Sequence, residues 1–141
     1  MSSGVQQNPM PGVSREEHRT AARLFLGLVR ATARLALPAE VQLDYLRKIG
    51  AKIGGVGNVD ELALEFDHVF GLLAEFEEMG WLTDVEAAVL REIDSRLTRM
   101  SDSRSDRVWS CEALHDDPSW SEVRFLAAQF LTKADFAGGV E

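Results

Sequence analysis

Apolar residues return every three or four positions along most of this chain, and that period limits it to helices. The first periodic run opens at Ser14-Arg15-Glu16-Glu17, a capping box in which the serine hydroxyl and the Glu17 carboxylate satisfy free amides at a helix start. Ala21, Phe25, Leu28, Thr32 and Leu35 form its stripe, widened by Leu24. Pro38 ends the run and suits the first position of a second helix, whose face is Val41, Tyr45, Leu46, Ile49 and Ile53. Gly54-Gly55-Val56-Gly57 interrupts, and Asn58-Val59-Asp60-Glu61 predicts a capped third start. Leu62, Phe66, Val69, Leu73 and Phe76 then predict one unbroken third helix ending at Gly80, where a left-handed helix end is expected.

Thr83-Asp84-Val85-Glu86 is another capping box, followed by the stripe Val85, Val89, Ile93, Leu97 and Met100. Residues 101–108 are polar and are expected to form a loop, with a short helical turn over Ser110–His115. Asp117-Pro118 is a cap followed by proline at a first helical position, and Trp120, Val123, Ala127, Phe130 and Ala134 carry the last helix. The sequence carries no strand-like alternation and no internal repeat. The expectation is an all-α single domain, a bundle of about five helices over residues 14–136. A flexible leader over 1–13 and a frayed tail over 137–141 complete it.

Composition narrows the class further. The 141 residues are 45% hydrophobic and 27% charged, proportions of a globular chain able to bury a core. No apolar run approaches a membrane span, and the N-terminus lacks the basic start and apolar stretch of a signal peptide, so a cytoplasmic protein is expected by default. Cys111 is the single cysteine, which excludes an internal disulfide and a cysteine-based metal cluster.

The net charge of −8 is unevenly spread. Residues 1–57 hold eight Lys and Arg against four Asp and Glu, net +4, whereas residues 58–141 hold seven against nineteen, net −12. Between Lys52 and Arg91 there is no basic residue, yet nine acidic ones: Asp60, Glu61, Glu65, Asp67, Glu75, Glu77, Glu78, Asp84 and Glu86. Such a block repels nucleic-acid phosphates and anionic lipid and attracts a basic protein surface.

The inventory for catalysis is thin. Glu65-Phe-Asp-His68 and Glu112-Ala-Leu-His115 are both Glu-x-x-His, the spacing that sets two ligands on one helix face in di-iron carboxylate bundles. They supply the alternative of a metal-binding helical-bundle enzyme. The bland reading is carboxylates and histidines on solvated faces, and His18 reads as surface as well. The glycines at 54–57 follow a helix and not a strand, so they make a linker and not a phosphate loop. Cys111 reads as a small buried or half-buried apolar residue despite His115 four positions on. Trp81, Trp109 and Trp120 read as packing, since no basic residues interleave around Trp81 to make a nucleic-acid platform. No catalytic residue, metal ligand or cofactor is assigned.

The acidic third helix is the informative feature. On another face from its core stripe, Glu61, Glu65, His68, Leu72, Glu75 and Met79 line up together, a surface in which carboxylates mix with large apolar side chains, as in protein-binding surfaces. The competing reading is internal: Arg15, Arg19, Arg23, Arg30 and Arg34 on the first helix could neutralise it. The same face could also form a homodimer interface.

The stretch Glu61–Leu131 resembles small, acidic, all-α immunity-type proteins of bacterial toxin systems. The residues that carry the resemblance are ELALEFDHVFGLLAEFEEMGWLTDVEAAVLREIDSRLTRMS and, after a polar loop, VWSCEALHDDPSWSEVRFLAAQFL. It implies a non-enzymatic inhibitor that covers the basic surface of a partner, such as a toxin domain, with its acidic helices. The residues then expected at the interface are Glu61, Glu65, Asp67, His68, Leu72, Glu75, Glu78, Met79, Asp84 and Glu86.

Overall fold

A computed structural model describes residues 14–52, 58–103 and 106–133. The leader, Ile53, the Gly54–Gly57 segment, Ala134 and the tail lie outside the described residues. Within them the chain is all-α. Seven helices run in order: α1 (Arg15–Leu35), α2 (Ala39–Lys52), α3 (Asp60–Phe70), α4 (Leu73–Glu78), α5 (Asp84–Asp102), α6 (Cys111–Asp116) and α7 (Pro118–Lys133). A 3-10 turn over Asp106–Trp109 precedes α6, and no strand occurs among the described residues. None of these helices is long and apolar enough to cross a membrane.

Two helix starts form as the sequence requires. Glu17 N–H donates to Ser14 Oγ at 3.0 Å while Ser14 N–H donates to the Glu17 carboxylate at 2.6 Å. The Thr83–Glu86 pair closes in the same way at 3.1 and 2.8 Å. Ser110 Oγ accepts from Ala113 N–H at 3.0 Å to start α6, and the Asp117 carboxylate accepts from Ser119 N–H at 2.8 Å beside Pro118.

The end of α4 is a Schellman turn. Gly80 holds φ of 80°, Gly80 N–H donates to Glu77 O, and Trp81 N–H donates to Phe76 O, both at 3.0 Å. The apolar contact that accompanies such a turn is the Trp81 indole stacked on Phe76 at 6.0 Å between centroids, with Phe25 of α1 edge-on to both rings.

The core is built from Leu28 and Leu35 of α1, Leu62 and Phe66 of α3, Phe76 of α4, Leu90 and Ile93 of α5, and Trp120, Val123 and Phe130 of α7. Helix α5 packs along α7, and α1 packs on both α3 and α7. Trp120 donates its indole N–H to Val108 O at 2.7 Å and meets Trp109 edge-on at 5.7 Å, which closes the end of the bundle.

Several expectations need correction. The expected third helix is two helices, because the chain tightens at Gly71 and Leu72, where Leu72 N–H turns back to Val69 O at 3.1 Å. Asn58 makes no cap. Val59 holds that position in helical conformation and no side chain receives an amide there. Residues 101 and 102 belong to α5, and Asp106–Trp109 are helical, so the polar 101–108 segment is not all loop.

Val41 and Val85 are exposed, while their neighbours Gln42 and Glu86 are buried. Glu86 is buried because its capping role points it at the Thr83 amide. Gln42 is buried because it joins a polar knot. Its amide N–H donates to Arg34 O at 2.8 Å, and its side-chain carbonyl accepts from Arg124 at 2.8 Å. Arg124 also donates to Leu37 O and Leu114 O at 2.8 and 3.0 Å, satisfying carbonyls left open after α1 and within α6. Burial of this guanidinium pushes its pKa below the ordinary arginine value.

Candidate functional site

The break after Phe70 divides the expected acidic face into separate patches. Helices α3 and α4 run back along α1, so Glu65 meets the C-terminal turn of α1 and α4 meets its first turns. At the first patch, Arg34 pairs with Glu65 and stacks its guanidinium 4.3 Å above the Tyr45 ring, while Tyr45 Oη lies 3.3 Å from the same carboxylate. Burial raises the pKa of Glu65 above its ordinary value despite the attraction of Arg34, and its Oε1 is enclosed with no hydrogen-bond partner among the described residues. Burial, and then the Glu65 charge, raises Tyr45 too. Glu65 thus acts inside the fold, and Glu61 sits half-buried on the same side.

The internal-neutralisation reading holds for that one pair. Among the described residues, no ion pair joins Arg15, Arg19, Arg23 or Arg30 of α1 to a carboxylate.

At the second patch, the described structure brings four of the expected residues together. Leu72, Glu75, Glu78 and Met79 line an open groove of about 400 Å³ between α4 and the first turns of α1. Its other lining residues are Glu17, Thr20, Ala21, Leu24 and Phe76. The positions 17, 20, 21 and 24 are one face of α1, the beginning of the stripe that further along enters the core as Leu28, Ala31 and Leu35. Opposite, Leu73 and Phe76 anchor α4 inward and leave Glu75 and Glu78 exposed. Ion pairs reach neither of these two among the described residues. Their helix neighbour Glu77 is paired with Arg91 of α5 at 2.5 Å, which fixes α4 to the bundle.

The remaining expected residues lie elsewhere. Asp67 and His68 are exposed on α3; Asp67 lies close enough to Asp94 of α5 that its charge adds to burial in raising the Asp94 pKa. Asp84 is exposed at the start of α5, and the cap beside it consumes Glu86. Glu17 and Leu24, which complete the groove, were not singled out as binding residues from the sequence. Glu17 is read locally as a cap and Leu24 as core, and only the α1–α4 pairing turns both toward a common opening.

A second concavity of about 350 Å³ holds Arg96, Arg99 and Arg107 together with Asp117 and Glu122. Most of its charges are matched within the fold, while Arg99 makes a 3.4 Å hydrogen bond to Ser95 Oγ and no ion pair among the described residues. Arg96 pairs with Glu92 at 2.9 Å and also with Glu122, and Arg107 lies 3.3 and 3.7 Å from Asp116 and Asp117. The two Glu-x-x-His pairs remain apart: Glu65 is held by Arg34, and Glu112 and His115 are exposed on α6 with Cys111. Among the described residues, no three His, Cys, Asp or Glu converge into a possible metal site. Comparison with family models, curated proteins and solved structures returned no match, so the functional reading rests on this chain's own residues.

Proposed function

We propose that this protein is a non-enzymatic binding module whose acidic α4 side covers a basic surface of another protein, as an immunity- or antitoxin-type inhibitor does. One observation carries the reading: an open apolar groove rimmed by Glu17, Glu75 and Glu78, where the two α4 carboxylates take part in no ion pair among the described residues. Exposed like charges cost stability when they gain nothing internally, and a partner's cations would relieve them. Apolar floor and charged rim together match the anatomy of a transient interface. Asp84, exposed at the next helix start, extends the same charge toward α5.

Electrostatic attraction of this kind speeds association and weakens with salt. The test is recovery of a basic partner from the source cells, first with the native chain and then with the charge-reversed chain E75K/E78K/D84K. A partner held by the native chain at low salt and lost by the reversed chain supports the reading. A partner held equally by both places the interface elsewhere.

A further inference from the structure

We infer that the α1–α4 groove receives an amphipathic basic helix of the partner protein, with apolar side chains on the groove floor and Lys or Arg along both flanks. The inference deepens the binding role proposed above and rests on it.

Charge selects the flanks. Glu17 stands on the α1 wall and Glu75 and Glu78 on the α4 wall, while no Lys or Arg lines the groove. Leu24, Leu72 and Met79 lie between them, half-buried, above the enclosed Phe76 ring. A segment that matches this cross-section is apolar along its middle and cationic on both edges, which is the surface of an amphipathic helix.

The backbone selects the helix. An extended peptide gains affinity by hydrogen bonding its main chain to an open strand edge. Both walls of this groove are helices, whose interior N–H and C=O groups are already bonded within each helix. An incoming segment therefore finds no continuous strand edge to pair with and has to satisfy most of its main chain itself. A proline-rich segment, which needs no such bonds, docks on exposed aromatic rings. The ring in this groove is Phe76, and it is 1% exposed. Met79 at the groove edge supplies a flexible thioether that adapts to aliphatic side chains.

Three fluorescent peptides of about 18 residues, long enough to become helical on binding, test this. The first is Leu/Lys with leucines on one helical face, the second has the same composition with the leucines scattered, and the third carries two central prolines. Anisotropy titrations at low salt are expected to favour the first over both others by about tenfold or more. E75K/E78K, checked for an unchanged melting curve, is expected to weaken the first by a similar factor.

Equal binding of all three peptides, lost at high salt, overturns the helix while an acidic docking surface stands. Binding of the first peptide unaffected by E75K/E78K overturns the groove as its site. No binding of any peptide at low salt overturns both the helix and the acidic docking surface under Proposed function.

Discussion

Arg124 and Gln42, 82 positions apart, are joined side chain to side chain at 2.8 Å, and through them α7 holds the junction of α1 and α2. The guanidinium also serves the carbonyls of Leu37 and Leu114, so its removal strands three acceptors together, two of them on the buried residues Gln42 and Leu114. Arg124→Met is expected to destabilise the fold by about 2–4 kcal/mol, lowering Tm by roughly 10 °C. Arg124→Lys should recover little of this, because an ammonium cannot span the same forked geometry. Thermal unfolding followed by circular dichroism checks both.

Gly80 is the residue with positive φ among those described, and an added Cβ there would meet no atom within 4 Å. The cost of Gly80→Ala is thus conformational and not a clash, about 1–2 kcal/mol for an L residue in the left-handed region. Urea denaturation should show that loss with an unchanged m-value.

Glu65 gives a signed pH effect. Burial raises its pKa in the folded chain above the ordinary 4.5, so the folded state binds this proton more tightly than the unfolded state does. Its contribution to stability is present below the unfolded value and is lost as pH rises through the folded one. Glu65→Gln, which does not titrate, is expected to improve relative to the native chain between pH 4 and pH 7. Paired urea melts at acid and neutral pH measure the difference. A constant offset between the two chains would remove Glu65 as a source of pH dependence.

Two carboxylates on neighbouring elements should respond unequally to charge reversal. Glu86 is 7% exposed and caps α5, so Glu86→Lys is expected to cost at least about 2 kcal/mol. Glu75 is exposed on the groove rim, and Glu75→Lys should stay within about 0.5 kcal/mol of the native stability. Chemical denaturation of both variants separates the structural carboxylate from the surface one.

The features legible in the sequence were those written in adjacent residues. Ser14 with Glu17, Thr83 with Glu86, and Gly80 with Trp81 each act within one turn, and each stands where local chemistry puts it. The break at Gly71 was hidden because Leu72 and Leu73 continue an apolar rhythm across it. Gln42 in place of Val41 in the interior depends on Arg124, which no local window contains. The candidate site divides along the same line. Leu72, Glu75, Glu78 and Met79 share one short segment and are found together, whereas Glu65 is removed from the face by Arg34, 31 positions away.

Helix α4 has six residues, of which Leu73 and Phe76 hold it to the core and Glu77 ties it to α5. The three that remain, Ala74, Glu75 and Glu78, face outward and carry no structural duty among the described contacts. Those three positions can therefore take other helix-forming side chains while the fold stays fixed. Where partners diverge quickly, this is the piece of the chain in which matching changes can accumulate without loss of stability.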